Sequence, residues 1–474
     1  MPLEDRSFLE FCTDSEPSKC GYCKGKRGGG VEKGKLNCGE GSSGDTEEPF
    51  EGSITTGLSI GIISPEYLNR LEETGWSTSG RYLYKPQNES TCCPQYTIRL
   101  DVNKFQMSRS QKRVMRQMNE YLATGKKPRS AVRDEMDVEQ KSAGNAKSVT
   151  MDEEEETKKE NVKDADRPVI KKKEMRRKRF EEKCREKNID PEEVRRQRIA
   201  KEEGRRRTIQ SFLGNEKADW KHHLETKLVR VDTEEFGTTQ DESFEVYKKY
   251  QMTIHKDTEC RFASFRRFLC DSPLKDCDEE IFSSPYGSFH LQFILDGKII
   301  AVSVVDILPR CLSAKYMFYD PDYPFLSMGT YTALRELDEL RKLHESYPEL
   351  KYYYMGYYIE SCPKMRYKSK FRPSDLLCDQ SFQWMTFDSC HKLLEKSEMP
   401  NGYAVFYPNI QPPTPFAIQN MIVYTKDGIL LLAKFLERNK DVLSDGQFLG
   451  KVERLAQKIG KPLPNCIYYF KELQ

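Results

Sequence analysis

The order of secondary-structure signals between residues 289 and 359 constrains the fold more than any other feature of this chain. Three strand-like runs, Phe289–Leu295, Lys298–Leu308 and Ala314–Tyr319, are followed by a helix at 331–344 and a fourth strand, Tyr352–Ile359. The helix is predicted by leucines that recur at helical spacing. Asp296-Gly297 between the first two runs is the strongest short-range signal for a β-hairpin. Because the last strand is reached through a helix, it must cross over, and the sequence predicts a mixed sheet with a parallel pair in an α/β domain.

Length and composition set outer limits on the class of protein. A chain of 474 residues exceeds one ordinary domain, so two domains and linkers are expected. No run approaches 18 apolar residues, and the acidic N-terminus lacks the basic and apolar regions of a signal peptide, which argues against membrane insertion and secretion. The 15 cysteines are an odd number scattered along a long chain. They predict reduced thiols in the cytoplasm or nucleus.

Changes in composition along the chain predict three segments. Residues 1–129 form a small cysteine-containing domain with a Gly- and Ser-rich loop at about 25–53. Residues 130–215 form a charged linker, largely disordered or an exposed helix, because 17 basic and 9 acidic residues crowd 168–207 with little apolar content. Aromatic residues return in 216–474, which is the α/β domain.

A helix at 108–123 is predicted by the capping-box spacing of Ser108 and Gln111 and by apolar residues on one face. Its opposite face carries four cations: Arg109, Lys112, Arg113 and Arg116. Clustered cations of this kind bind the phosphates of nucleic acid. The basic linker adds to this pattern, but a charged linker alone is more often a solvated segment or a nuclear-import signal, so the helix face is the stronger indication.

The helix after the third strand opens with Ser327-Met-Gly-Thr-Tyr. Ser327 is placed to cap the helix, and free N–H groups near Gly329 and Thr330 would suit a phosphate or an oxyanion. An ordinary helix cap is the alternative. The strand-strand-helix-strand order resembles the core of the GNAT acyltransferase fold, in which this helix start holds the phosphates of the acyl carrier. The usual carrier loop, Q/R-x-x-G-x-G/A, is absent, which argues against coenzyme A.

A basic segment follows the last strand and contains Lys364, Arg366, Lys368, Lys370 and Arg372. Strand ends of α/β sheets are where sites form, so the segment is a candidate pocket for an acidic side chain or an RNA phosphate. A solvated loop is the alternative.

Four acidic residues of the same domain could pair with a guanidinium: Asp306, Glu360, Asp375 and Asp379. Asp306 is the strongest of them, because it interrupts an apolar strand where an ionised group is costly without a partner. The other three are ordinary surface residues unless the fold gathers them.

Two cysteine pairs, Cys20/Cys23 and Cys92/Cys93, stand out from the other cysteines. Four thiolates could bind zinc or an iron–sulfur cluster. The adjacent pair is not the second C-x-x-C of a zinc ribbon, so the spacing does not favour zinc. Buried free thiols or a redox couple are the alternatives.

Seven blocks of this sequence resemble the eukaryotic arginyl-tRNA–protein transferases. They are KCGYCK, GWSTSGRYLYKP, CCPQYTIRL, SFHLQFILDGKIIAVSVVDILP, YDPDYPFLSMGTYTALREL, YYYMGYYIESCPKMRYK and PSDLLCD. The resemblance implies a GNAT-like catalytic domain and transfer of arginine from Arg-tRNA to the α-amine of proteins that begin with Asp, Glu or oxidised Cys, which marks them for ubiquitin-dependent degradation. It also implies an iron–sulfur cluster on Cys20, Cys23, Cys92 and Cys93.

Under this hypothesis Asp306 lies near the reacting amine or the arginyl group. The other assignments are Ser327, Gly329 and Thr330 for the tRNA end, Lys364, Arg366 and Lys368 for the acidic N-terminus, and Tyr316, Tyr357 and Tyr358 for the cleft wall. Neither ATP nor coenzyme A is expected, because an aminoacyl ester is already activated. A monomer or weak oligomer is expected. Two alternatives stay open: a coenzyme A-dependent N-acyltransferase, and a non-enzymatic metal-binding protein that interacts with RNA.

Overall fold

The computed structural model describes most of the chain in ten stretches. They are 7–23, 52–128, 172–186, 189–204, 207–214, 218–275, 284–410, 417–440, 446–460 and 466–473. The loop predicted at 25–53 lies almost wholly outside the described residues, as does the linker from 130 to 171. The chain divides into two compact units, Met1–Lys126 with Glu216–Gln474, and Lys127–Asn215.

The strands of the first unit form two sheets. Their bounds are β1 (Ser7–Ser18), β2 (Ser53–Ile62), β3 (Ser77–Ser79), β4 (Tyr82–Pro86), β5 (Tyr96–Asp101), β6 (Leu224–Arg230), β7 (Gly287–Leu295), β8 (Lys298–Ile307), β9 (Cys311–Tyr319), β10 (Tyr352–Tyr358), β11 (Asp375–Leu377), β12 (Trp384–Thr386), β13 (Ile422–Thr425), β14 (Gly428–Leu431) and β15 (Cys466–Tyr469).

The helices cover the faces and ends of these sheets, apart from three that belong to the second unit. Their bounds are α1 (Pro65–Glu72), α2 (Arg109–Thr124), α3 (Lys172–Glu186), α4 (Pro191–Gly204), α5 (Ile209–Leu213), α6 (Glu234–Tyr250), α7 (Phe262–Phe265), α8 (Met328–Ser346), α9 (Pro363–Arg366), α10 (Phe387–Glu395), α11 (Leu432–Arg438) and α12 (Gly446–Ile459). Helix α6 continues into a π-helical turn, Gln251–His255, and α7 into a second one, Arg266–Cys270. None of the helices in the described residues is both long enough and apolar enough to cross a membrane.

The eight-stranded sheet has the order β12-β11-β5-β10-β9-β8-β7-β6. Strands β9 and β10 are parallel and are joined through α8, while the other neighbours are antiparallel. Asp296 and Gly297 adopt φ values of 50° and 83° at the β7–β8 turn, as a two-residue hairpin with the favoured twist requires. The predicted hairpin, crossover helix and mixed sheet are therefore confirmed.

The two faces of this sheet are covered by different helices. Val304 pairs with Tyr316 and Ser303 with Met317 across β8 and β9, so the two pairs point to opposite faces. Val304 and Tyr316 pack in a core formed with α6. The terminal methyl of Met317 lies 3.2 Å from the position that a Cβ on Gly329 would take, which places α8 on the other face.

The seven-stranded sheet has the order β14-β13-β15-β1-β2-β4-β3 and is also mixed. Strand β15 is parallel to both β1 and β13. A core of aliphatic and aromatic side chains from β1, β2, α1, α11 and α12 is packed against it. The N-terminal and C-terminal ends of the chain therefore share one sheet.

The sequence analysis placed 1–129 and 216–474 in separate domains, whereas the structure joins them in both sheets. Strand β5 lies between β10 and β11, and β1 lies beside β15. The alternation of apolar residues in a strand shows which side chains are buried, but it does not show which other strand lies beside it. The pairing of strands hundreds of residues apart could therefore not be predicted from the sequence.

The second unit contains α3, α4 and α5. Both long helices are strongly charged, and Arg195 on α4 pairs with Glu181 on α3 at 3.5 Å. For 172–186 and 191–204 the structure shows the helical form of the predicted linker.

Candidate functional site

A pocket of about 630 Å³ lies on the α6 face of the eight-stranded sheet. Its wall carries charged or polar side chains from distant parts of the chain: Tyr22, Thr78, Asp271, Ser288, Asp306, Lys315, Tyr316 and Lys364. The pocket therefore lies where the N-terminal segment meets β8, β9 and the basic segment after β10.

Asp306 is held on this wall by hydrogen bonds and an ion pair. Ser288 Oγ donates to Asp306 Oδ1 at 2.5 Å, and Thr78 Oγ1 lies 3.5 Å from Oδ2. Lys315 Nζ lies 3.4 Å from the same Oδ2. Ser272 Oγ in turn lies 2.8 Å from Ser288 Oγ. The carboxylate that the sequence analysis singled out is thus fixed in place at the pocket.

Lys315 also pairs with Glu72, whose side chain is 3% exposed. Burial raises the pKa of Glu72, although the ammonium of Lys315 opposes this rise. Burial also acts against the charge of Lys315, but Glu72 and Asp306 more than offset it and raise its pKa above the usual value. Two carboxylates and one ammonium leave a formal charge of −1, which suits a cationic or amine-bearing group.

The sequence analysis did not identify Glu72 or Lys315 as functional residues. A lysine inside the predicted strand Ala314–Tyr319 was an available signal, because a charge in a buried strand requires a partner. Glu72 gave no comparable signal, since its helix is separated from Lys315 by 243 positions along the chain.

The three predicted tyrosines occupy different places. Tyr316 lines the pocket, and its hydroxyl accepts a hydrogen bond from Gln251 Nε2 at 2.8 Å. Tyr357 is buried and donates to the carbonyl of Gly75 at 3.0 Å, away from the pocket wall. Tyr358 donates to Glu360 Oε2 at 2.5 Å and is also not part of the wall. The structure brings only Tyr316 to Asp306.

The structure also separates the three basic residues that were predicted to bind the acidic N-terminus, Lys364, Arg366 and Lys368. Lys364 lines the pocket, whereas Arg366 and Lys368 do not. Lys368 is buried, and its Nζ donates to the carbonyl of Tyr357 at 2.7 Å. Burial lowers the pKa of Lys368 to about 8, against a smaller opposing effect of Cys362. Lys368 thus contacts the protein backbone rather than the open pocket.

The start of α8 lies on the opposite face of the sheet from Asp306. Ser327 occupies the N-cap position with φ 51° and makes no side-chain capping bond, unlike the predicted cap. The N–H of Thr330 donates to the carbonyl of Ser327 at 2.9 Å, so it is not free for a ligand. Of the N–H groups predicted to bind phosphate, that of Gly329 is the one left at the helix start.

The basic face of α2 lies on the same side of the molecule as this helix start. The capping box of Ser108 and Gln111 is present, and the predicted apolar face is buried. Helix α2 packs against α8 and the turn at 324–326, where the rings of Tyr121 and Phe325 are 5.3 Å apart. The predicted cations lie on the outer face, where Arg109, Arg113 and Arg116 are exposed and Lys112 is half-buried.

Four cysteines meet beside the pocket, as the two predicted pairs required. The sulfurs of Cys20, Cys23, Cys92 and Cys93 all lie within 4.8 Å of one another, and those of Cys23 and Cys92 are 3.5 Å apart. Burial raises the pKa of Cys93 to about 12 and raises that of Cys92 as well, so thiolates here need a cation. This set could hold a metal ion.

The cysteine set is continuous with the pocket wall. Gly21 and Tyr22, between the first two cysteines, line the pocket. Cys362 packs against the four cysteines and also lines the pocket. An ion at the cysteines would therefore fix one wall of the site.

Comparisons with known proteins place both halves of the chain in one family. The family model "Arginine-tRNA-protein transferase, N terminus" matches residues 18–113, and "Arginine-tRNA-protein transferase, C terminus" matches 242–378. Arginyl-tRNA–protein transferase 1 of Drosophila melanogaster is 34% identical over 78% of this chain and 80% of its own length. The protein of the same name from Arabidopsis thaliana is 31% identical over 80% of this chain and 73% of its own.

Two other matches cover a smaller part of the chain. An aspartate/glutamate leucyltransferase of Stutzerimonas stutzeri is 44% identical over 102 residues, 22% of this chain and 40% of its own. A solved domain described as a lysylphosphatidylglycerol synthetase from Agrobacterium fabrum has 17% identity and a TM-score of 0.21 over 34% of this chain and 48% of its own, which supports no argument. From the eukaryotic relatives, which match most of its length, the chain belongs to the arginyl-tRNA–protein transferase family.

Proposed function

We propose that this enzyme transfers arginine from Arg-tRNA to the α-amino group of proteins that begin with Asp, Glu or oxidised Cys. Its similarity to arginyl-tRNA–protein transferases over most of the chain carries the proposal. In the cytoplasm and nucleus the added arginine would mark these proteins for ubiquitin-dependent degradation.

The reaction is an acyl transfer that needs no other reactant. The neutral α-amine attacks the ester carbonyl of the arginyl group, an amide bond forms, and the ester bond to the tRNA ribose breaks. The amine loses a proton and the ribose hydroxyl gains one. A free α-amine has a pKa of about 7.7–8.0, so a weak base or a water relay suffices, and proximity supplies much of the rate.

Asp306 is the group we assign to the reacting end. Its carboxylate is fixed by Ser288 and Lys315, so it can accept a hydrogen bond from an amine or a guanidinium without reorganising. Lys315 and Glu72 act as positioning residues, because Lys315 contacts both carboxylates in a nearly dry environment. The net negative charge of the three groups favours a positively charged substrate group.

Lys364 is the cation we assign to the acidic side chain of the acceptor protein. It lines the same pocket as Asp306 and makes no ion pair with a described residue. The bacterial relatives named aspartate/glutamate leucyltransferases support an acceptor that begins with an acidic residue.

Strands β9 and β10, which are joined through α8, pair over only part of their length. The two parallel strands pair only from Cys311 to Ser313 and from Tyr352 to Tyr354, although both continue beyond. The carbonyl of Tyr357, past the paired region, is bound by Lys368 instead of by β9. The order β8, β9, α8, β10 is the order that resembles the GNAT core, and we propose a GNAT-like sheet on that basis.

The four cysteines are assigned to one bound metal ion. Tetrahedral thiolates at metal–sulfur distances of about 2.3 Å stand about 3.8 Å apart, and the four sulfurs here lie within 4.8 Å of one another, with Cys23 and Cys92 at 3.5 Å. Thiolates on different irons of a cluster stand farther apart, so this compact set favours zinc over the expected iron–sulfur cluster. The ion would fix the Cys20–Cys23 turn and, with it, Tyr22 at the pocket. Anaerobic purification followed by metal analysis and an optical spectrum distinguishes the two.

The transfer assay offers labelled Arg-tRNA and peptides beginning with Asp, Gly or Lys, with and without ribonuclease. We expect transfer to the Asp peptide alone, abolished by ribonuclease. Asp306→Asn should lower transfer by at least a hundredfold, while the exposed control Asp241→Asn should not. Transfer from acetyl-coenzyme A, or no transfer, would contradict the proposal, and an active, folded Asp306→Asn protein would remove Asp306 from the mechanism.

A further inference from the structure

The pocket of about 630 Å³ that contains Asp306 is called the transfer pocket below. A second pocket, of about 350 Å³, shares no lining residue with it. It is formed by the end of α1, by β5, by the β8–β9 turn and by the segment 381–384. Most of its polar lining residues are hydrogen-bond donors. None of these residues has a role in the function proposed above.

Arg99 is one of three arginines that line this pocket. Its guanidinium is stacked between the rings of Trp384 and Tyr352, with centroids 3.8 and 4.1 Å away. One terminal nitrogen donates to Tyr354 Oη over a long 3.4 Å, and the buried Nε has no partner among the described residues. A planar guanidinium carries five N–H donors, so most of the donors of Arg99 remain unused.

Two further arginines line the opening. Arg310 pairs with Glu73 at 2.5 Å, and Arg70 is exposed and makes no ion pair with any described residue. Three arginines against one glutamate leave a formal excess of two positive charges. Asp375 lies opposite Arg99 across the β5–β11 pair and forms no ion pair with it, but burial raises the pKa of Asp375 and the charge of Arg99 opposes this rise. Counting Asp375 with the lining residues lowers the excess to one positive charge.

Ser381 supplies an independent sign that the pocket is built for a ligand. Its side chain is 2% exposed and lines the pocket, yet its hydroxyl has no hydrogen-bond partner among the described residues. A buried hydroxyl without a partner costs about 1–3 kcal/mol, so such groups are usually satisfied. Ser381 and Arg99 both line this cavity, and each carries one buried polar atom without a partner among the described residues.

We propose that this pocket binds a phosphate group. Guanidinium groups bind phosphate oxygens in pairs, and the unpartnered donors match an anion with several acceptor oxygens. The net positive charge of the pocket favours an anion, and the number of arginine donors favours a phosphate over a single carboxylate. The phosphate could come from the backbone of the tRNA, a source that rests on the proposed function, or from a free phosphate compound.

The test measures binding of two probes, inorganic phosphate and unacylated arginine tRNA, by calorimetry at several salt concentrations. Ser381→Ala removes a hydroxyl that bonds no described residue, and Arg70→Gln removes an exposed cation, so both proteins should fold. Lys434→Gln on α11 is the matched control, since it removes an exposed cation far along the chain from this pocket.

If the source is RNA, Ser381→Ala with Arg70→Gln should weaken tRNA binding about tenfold, and Arg70→Gln should reduce the slope of log affinity against log salt by about 1. If the source is a free compound, inorganic phosphate should bind the parent protein, Ser381→Ala should weaken it, and tRNA affinity should stay unchanged. The proposal is overturned if phosphate does not bind and the variants match Lys434→Gln in tRNA affinity. Arginine transfer by the same parent protein shows separately whether the proposed function stands.

Discussion

Replacing Lys315 by Met should be among the most destabilising single changes in this protein. The ammonium contacts Glu72 and Asp306, whose side chains are 3% and 9% exposed. Methionine matches the stem of lysine in length, so the change removes the charge and leaves little cavity. Removing one partner of a buried ion pair costs about 3–5 kcal/mol, and here two carboxylates lose the same partner.

The size of this loss should depend on pH. Without the ammonium, the folded-state pKa of Glu72, already raised by burial, rises further above its unfolded value. Between those two values the folded protein holds more protons than the unfolded chain, so stability falls as pH rises through that interval. The difference in unfolding free energy between the parent and Lys315→Met should therefore be larger at pH 8 than at pH 5.

Urea unfolding at both pH values measures the effect, and a second substitution separates charge from packing. Lys315→Met with Glu72→Gln removes the excess charge together with its partner, so it should recover most of the lost stability. Lys104→Met is the control, because Lys104 is 72% exposed and its ion pair with Asp101 is worth about 0–1 kcal/mol.

Three results would refute this reasoning. They are a loss for Lys315→Met no greater than that for Lys104→Met, a loss equal at the two pH values, and a double variant no more stable than Lys315→Met. If the double variant folds but transfers arginine slowly, Lys315 and Glu72 position Asp306 as well as stabilise the fold. If it transfers at the parent rate, the two residues serve stability alone.

Three further predictions follow from single sites. His290 is fully buried, and burial lowers its pKa to about 4. The unfolded chain therefore binds a proton first, and the free energy of unfolding should fall by about 3 kcal/mol as pH falls from 6.5 to 4. In His290→Gln this part of the pH dependence should be absent from the unfolding curves. Lys364→Gln should raise KM for an Asp-starting peptide more than kcat falls, whereas Arg366→Gln, outside the pocket wall, should change KM less, as steady-state kinetics will show. Cys23→Ser should lower the bound metal per chain and Cys390→Ser should not; equal metal content by elemental analysis would move the metal site elsewhere.

The elements around the site could be predicted where their signals are local. The Asp296-Gly297 turn fixes a hairpin in two residues, and Ser108 with Gln111 fixes a helix start in four. The crossover to β10 followed from the order of elements, because parallel neighbours require such a connection. The cysteine set followed from chemistry, since four thiols in two pairs gain from a shared cation.

The site itself depends on contacts that no local pattern contains. Asp306 could be found, because a charge in an apolar strand predicts a partner, but the sequence did not say which partner. The sequence also did not show which helix covers each face of β8 and β9. Ser303 and Val304 are neighbours in sequence, yet one points to α8 and the other to the pocket, so the helix start at Gly329 and the carboxylate of Asp306 lie on opposite faces. The face on which each of these two features lies could be assigned only from the three-dimensional structure.

Helix α1 explains why the N-terminal and C-terminal regions need one another. Its residue Glu72 contacts Lys315 at the transfer pocket, while the next residue, Glu73, pairs with Arg310 at the second pocket. Asn69 on the same helix accepts a hydrogen bond from the backbone N–H of Arg310 at 3.0 Å. Arg310 lies in the short turn between β8 and β9, so one helix end fixes that turn from both sides. A C-terminal region without α1 and β5 would lack a neighbour for β10, the partner of Lys315 and one wall of each pocket. The shared sheets are therefore a condition of the site's chemistry as well as of its stability.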